Sequence, residues 1–202
     1  MTRDVVVVGT SVANIASVLA ALRRAGAQPV VSLEPAAIAG AERVVLPGVG
    51  AFGAAMGALR QARVADVVAE RVEVGRPLLA ICLGLQLLAE GSEESPGVAG
   101  LGVVPGVARR FPPVVRVPQL GWNRVRPGPG AAWIEAGSAY FANSYRIDTA
   151  PPGWSCATAE HGGPFIAALE RGPVLACQFH PELSGAWGAA LIRRWWQMEG
   201  RC

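Results

Sequence analysis

Four short runs in the first half of the chain, 4–8 (DVVVV), 28–33 (QPVVSL), 43–48 (RVVLPG) and 76–82 (RPLLAIC), are continuously apolar at their centres. A strand with one face in water alternates apolar and polar residues, whereas a run such as Val5-Val6-Val7-Val8 needs cover on both faces. The stretches between the runs carry apolar residues at helical spacing. Residues 12–24 read as a helix stopped by Gly26, residues 51–73 as one or two helices, and LQLLAEG (85–91) as the helix after the fourth strand. Strands that alternate with helices pair in parallel through right-handed crossovers. The expected fold is therefore α/β, a doubly wound, mostly parallel sheet flanked by helices. From residue 100 to 148 the segments become short, rich in Gly and Pro and often alternating, which predicts a β-rich antiparallel insertion. GPVLACQFHPE (172–182) returns to a buried strand, and 186–198 reads as a closing helix. There is no internal repeat and no long linker, so residues 1–202 are expected to form a single domain.

Composition narrows the function classes. Only 16% of the residues are charged, and the net charge of +3 comes from arginine alone, because the chain has no lysine. The arginines are scattered, with Arg23-Arg24, Arg109-Arg110 and Arg193-Arg194 as adjacent pairs. They form no basic stripe interleaved with aromatics, so no nucleic-acid partner is expected. No stretch reaches the roughly 18 apolar residues of a membrane span. The first 26 residues superficially resemble a signal peptide, but their apolar run is short, is broken by Gly9-Thr10-Ser11 and Asn14, and is followed by two arginines. A strand, a turn and a helix account for them better. Cys82, Cys156, Cys177 and Cys202 form no CxxC pair and no zinc-spaced cluster with histidine, so neither a metal nor a cofactor is expected, and the reducing cytoplasm is the natural compartment.

Cys82 stands at the junction of the fourth strand and its helix, within Ala80-Ile81-Cys82-Leu83-Gly84. Small residues two positions to either side are what a nucleophile on a tight strand-to-helix turn requires, as in the G-x-S-x-G corner of hydrolases. Such a turn raises the side chain above the C-terminal edge of the sheet and sets it at a helix N-terminus, which favours thiolate over thiol. By itself the pattern fits a buried structural cysteine equally well.

A thiol nucleophile needs a base, and the base needs a group to orient it. Of the two histidines, His161 lies in a glycine-rich turn, while His180 follows the apolar strand VLACQF and precedes Pro181 and Glu182. This places His180 at the same sheet edge as Cys82, with Glu182 two residues on to accept from one ring nitrogen. Gly48-Val49-Gly50-Ala51-Phe52-Gly53 formally matches GxGxxG, but it follows the third strand, enters through a proline and lacks an acidic residue at the end of the next strand, so it is a poor dinucleotide fingerprint. A glycine-rich loop at this edge can instead aim backbone N–H groups at a developing oxyanion, and the Val49 and Leu83 amides are the candidates.

In chain order, LPGVGAF, ICLGLQLL, GSEE, GLGVVPG, PQLGWN, YFANSY and QFHPELSG resemble the class I, or triad, glutamine amidotransferases. Among these the chain looks most like the glutaminase subunits of imidazole glycerol phosphate synthases in histidine biosynthesis. The resemblance implies that Cys82 attacks the glutamine side-chain amide, that His180 shuttles protons, and that Glu182 orients His180. It also implies that Gly50, Gln86 and Glu94 hold glutamine, with Glu94 facing the α-ammonium. Ammonia would pass into a cyclase subunit of (β/α)8 fold. Trp122 and Tyr145 fall in segments that face the partner in that family, and equally suit core aromatics. Four positions depart from the family pattern: Ala80 replaces a glycine, Gln119 and Asn143 each replace a histidine, and Leu183 replaces a lysine. The departures keep two alternatives open, a paralogue that feeds another synthase and a non-catalytic α/β scaffold subunit.

Overall fold

Val5, Val7, Val44, Val45, Leu78 and Leu79 are all buried, as uninterrupted apolar strands require. The computed structural model describes residues 4–9 and 15–198. The first half runs β1 (Asp4–Val8), α1 (Ile15–Arg24), β2 (Gln28–Ser32), α2 (Pro35–Gly40), β3 (Arg43–Gly48), α3 (Phe52–Gln61), α4 (Ala65–Glu73), β4 (Leu78–Cys82) and α5 (Leu83–Leu87). The second half runs β5 (Ala89–Ser92), β6 (Val104–Arg110), β7 (Gln119–Pro127), β8 (Gly137–Asn143), β9 (Tyr145–Arg146), β10 (Ser155–Glu160), β11 (Pro164–Arg171), β12 (Val174–Cys177), a 3-10 turn at Pro181–Leu183 and α6 (Gly185–Gln197).

The main sheet has nine strands in the order β2-β1-β3-β4-β12-β11-β10-β7-β8. β1, β2, β3, β4 and β12 are mutually parallel where they pair, and β11, β10, β7 and β8 continue the sheet antiparallel. Alternate residues of the parallel strands feed two cores. Val6, Val44, Leu46 and Ala176 pack with Ile38, Met56, Leu59 and Val68 of α2, α3 and α4, while Val7, Val45, Leu79 and Leu175 pack with Val18, Leu22, Leu191 and Trp195 of α1 and α6. Each large aliphatic side chain so buried contributes about 1.5–3 kcal/mol.

The doubly wound, mostly parallel sheet is therefore present, and three details differ from the sequence expectation. The antiparallel strands are not all set apart as an insertion: β7, β8, β10 and β11 extend the main sheet, while β6 and β9 pair antiparallel in a separate small sheet that β5 joins in parallel. The helix expected over 85–91 ends at Leu87. Its continuation is pre-empted because the carbonyls of Leu87, Leu88 and Ala89 accept from Leu101, Val104 and Gly102, which draws 89–92 into a strand beside β6. α2 has only six residues and one buried apolar side chain, Ile38, too little periodicity to read, although Pro35 stands in its first turn. The expected helix start at 12–14 lies outside the described residues.

Candidate active site

β3, β4 and β12 are neighbours at the centre of the sheet, with Gly48 opposite Cys82 and Ile81 opposite Cys177. Their C-terminal ends therefore deliver the glycine loop, Cys82 and the segment leading to His180 to one edge, where open α/β sheets build their sites.

Cys82 takes φ 55° and ψ −108°, one of two described non-glycine residues with positive φ. A side chain held in that region costs on the order of 1–3 kcal/mol and persists only where the surroundings impose it. Close packing imposes it here. A Cβ on Gly84 would lie 2.1 Å from the Leu46 carbonyl oxygen, and one on Gly48 would lie 2.8 Å from the Leu83 Cβ. Glycine at both positions lets the start of α5 press against the end of β3 and forces the turn at Cys82.

His180 lies just past β12 and is held from both sides of its backbone. Its N–H donates to the Tyr140 carbonyl at 2.9 Å, and its own carbonyl accepts from the Ser184 hydroxyl at 2.6 Å. The Ser184 oxygen in turn accepts from the Tyr140 N–H at 2.9 Å. Ring Nδ1 meets Glu182 Oε1 at 2.8 Å, with the Glu182 side chain 1% exposed. Burial pushes the His180 pKa down, but hydrogen bonding and charge at Cys82 and Glu182 outweigh it, so the pKa is raised to about 10. The ring is thus an imidazolium at neutral pH, set between a sulfur and a carboxylate.

A cavity of about 270 Å³ opens beside this group, lined among others by Val49, Gly50, Cys82, Leu83, Gln86, Glu94, Asn143 and His180. Of the eight residues expected from the sequence to form the site, seven line the cavity and Glu182 stands behind His180. Leu83 is the first residue of α5, where an amide has no acceptor within its own helix. Gln86 donates both N–H bonds of its amide, to the Tyr145 carbonyl and to Gln178 Oε1, each at 3.0 Å, so it offers the cavity only an acceptor. Glu94 Oε2 accepts from the Phe52 N–H at 2.7 Å, which leaves its second oxygen for a ligand.

His161 stands apart from the cavity. Its ring meets the Arg116 carbonyl at 2.8 Å and the edge of Phe111 at 4.8 Å between centroids, a packing role. The two amides that replace family histidines, Gln119 and Asn143, prove to be direct partners across β7 and β8, so these departures form one local feature. Tyr145 lines the cavity, whereas Trp122 is 61% exposed and lies edge-on to Tyr140 at 6.2 Å. Sequence reasoning did not single out Ser184, Tyr140 or Gln178. The signal for Gln178 was a lone amide inside the apolar run Val174–Phe179. Among the described residues no group of acidic, histidine and cysteine side chains is arranged to hold a metal, and no helix is long and apolar enough to cross a membrane.

Residues 11–197 match the family model "Glutamine amidotransferase class-I". The chain is 44% identical over 189 residues to the imidazole glycerol phosphate synthase subunit HisH of Thermus thermophilus, covering 92% of this chain and 94% of that protein. It is 41% identical over 194 residues to the protein of the same name from Streptococcus gordonii, covering 94% and 93%. A solved glutamine amidotransferase superposes with a TM-score of 0.76 at 22% identity over 95% of this chain and 96% of that one, a likeness of fold. With a matching family model along nearly its whole length and relatives above 40% identity, the chain belongs to the class-I glutamine amidotransferase family.

Proposed function

We propose that this protein is the glutaminase subunit of an imidazole glycerol phosphate synthase, hydrolysing glutamine to glutamate and ammonia. The observation that carries this reading is the Cys82 sulfur on a strained corner, beside an imidazolium whose Nδ1 is bonded to a buried carboxylate. In the proposed cycle the Cys82 sulfur, whose proton His180 already holds, attacks the side-chain amide carbon as the thiolate. The tetrahedral oxyanion is received by the Val49 and Leu83 N–H groups, each donor of this kind being worth about 2.7–4 kcal/mol. His180 then protonates the departing ammonia, leaving a γ-glutamyl thioester. The same ring, now neutral, takes a proton from the water that cleaves the thioester. Glu182 holds the ring in the orientation both steps need.

The cavity volume falls below the roughly 300–1,000 Å³ of sites for drug-sized ligands and suits a single amino acid. The acceptors left on Glu94 and Gln86 suit the α-ammonium of glutamine, and Gly50 with φ +89° lets the loop backbone come close to it. Similarity to proteins named for one synthase, at 40% identity and above, favours that synthase over the paralogue reading. The intact Cys82, His180 and Glu182 argue against a scaffold subunit.

Ammonia is passed to a cyclase subunit of (β/α)8 fold in the cytoplasm. Leu120, Trp122 and Leu183, which are 65%, 61% and 38% exposed near the His180 edge, give that partner an apolar rim to dock on. The test is glutamine-dependent formation of imidazole glycerol phosphate when the chain is mixed with a cyclase and its ribonucleotide substrate. A glutamine-analogue electrophile such as diazo-oxo-norleucine is expected to label Cys82 alone. No turnover with any cyclase would reject the assignment, and absent or scattered labelling would support the scaffold.

A further inference from the structure

We infer that Gln178 is a catalytic residue: its side-chain N–H donates to the Cys82 sulfur and stabilises negative charge there, in an orientation set by Gln86. The inference takes from the proposed function only that Cys82 is the nucleophile. Gln178 Nε2 lies 3.7 Å from Cys82 Sγ, within hydrogen-bonding range for sulfur, and its Oε1 accepts from Gln86 Nε2 at 3.0 Å. The residue is 0% exposed, on the strand segment between Cys177 and Phe179. A side-chain amide sealed this deeply is costly unless both its ends are bonded. Both ends are bonded here, one of them to the reacting atom.

The chain of donors fixes the direction. Gln86 spends its two N–H bonds on the Tyr145 carbonyl and Gln178 Oε1, so the oxygen of Gln178 is held toward Gln86 and its nitrogen toward the sulfur. A neutral amide is suited to this task. It binds a thiolate more strongly than a thiol and cannot be deprotonated by it, so the proton exchanged with His180 stays on its own route. The sulfur carries charge before attack and again when the thioester is cleaved, and the donor acts at both points. Because Gln86 also lines the cavity, a ligand there touches the residue that aims Gln178. The titratable groups around the sulfur are His180 with Glu182 behind it, Glu94 and Tyr145 in the lining of the same cavity, and Cys177 on the adjacent strand. Substitution of Gln178 alters none of them chemically.

The experiment is the pH profile of Cys82 alkylation by iodoacetamide in the full chain, followed on the Cys82 peptide by mass spectrometry. Iodoacetamide needs no glutamine site, so this result is independent of whether the chain is a glutaminase, which diazo-oxo-norleucine labelling of the wild type tests separately. In Gln178→Met, close in volume but without a donor, alkylation at pH 7 is expected to slow about tenfold and its half-maximal pH to rise by about one unit. The milder Gln178→Asn, which withdraws the donor by one methylene and keeps the site polar, is expected to shift the profile the same way by less. Gln86→Met, which frees the Gln178 oxygen, is expected to fall between wild type and Gln178→Met. A purely structural Gln178 would lower the melting temperature and expose Cys177 to labelling while leaving the Cys82 profile in place. That outcome, in either Gln178 variant, overturns the inference.

Discussion

The Glu94 carboxylate accepts the Phe52 N–H at 2.7 Å across a sequence separation of 42 residues. Beside it the Ser95 hydroxyl accepts the Gly53 N–H at 3.0 Å. α3 begins after Ala51, whose side chain offers no cap, so two residues from a distant loop supply what the helix lacks. The same helix start ends the glycine loop that carries Val49. Glu94→Ala is therefore expected to raise KM for glutamine at least tenfold and also to lower kcat, because both the proposed ammonium acceptor and the loop anchor are lost. Ser95→Ala is expected to cost about 1 kcal/mol of stability, the usual value of a lost cap, with a smaller change in KM. Steady-state kinetics in the complex and denaturant titration check the pair. Equal effects of the two variants on KM would remove Glu94 from the glutamine site.

Backbone strain at Cys82 gives a second prediction. At φ 55° and ψ −108°, glycine carries no steric penalty and alanine carries the full one. Cys82→Gly is expected to be more stable than Cys82→Ala by about 1 kcal/mol, the reverse of their order in an ordinary strand. Both are expected to be inactive. Urea unfolding of the two variants decides it, and an alanine variant as stable as the glycine variant would show that the corner is unstrained.

The raised His180 pKa ties stability to pH. The folded state holds this proton more tightly than the unfolded chain, whose histidine titrates near 6.5. The stabilisation is therefore complete below about pH 6.5 and is lost as pH rises through about 10. Wild-type unfolding midpoints are expected to fall across this window relative to those of His180→Asn, which cannot take up the proton. Parallel stability curves for the two proteins between pH 6.5 and 10 would contradict the paired imidazolium.

Trp122 is exposed beside Tyr140 and above the start of α6, where a Cβ on Gly185 would come within 3.8 Å of its ring. If the apolar rim docks the cyclase, Trp122→Ala is expected to weaken the complex tenfold or more while changing the stability of the free chain by less than about 0.5 kcal/mol. Leu183→Arg, which places a charge in the same rim, is expected to weaken it similarly. Calorimetric titration with the cyclase measures both, and unchanged affinity in both variants would move the interface elsewhere.

The local sequence by itself determined the parallel strands and pointed to the candidate residues of the site. Runs such as Val5–Val8 and Leu78–Ile81 admit cover on both faces and little else, and a cysteine between Ala80 and Gly84 carries the signature of its turn wherever it occurs. What followed Leu87 was not legible there. Whether Ala89–Ser92 coils or extends is decided by which distant N–H groups claim the preceding carbonyls, and those belong to residues 101–104. The same holds for the antiparallel strands, whose alternation fits a separate sheet or an extension of the main one until β11 pairs with β12. Within the site, short-range chemistry named Cys82, His180 and Glu182. The caps on α3, the Ser184 bridge that pins His180 and the amide of Gln178 on the sulfur join residues dozens of positions apart or use backbone atoms that every residue shares. A hydrogen bond depends on distance and direction in space, and only the folded chain sets those.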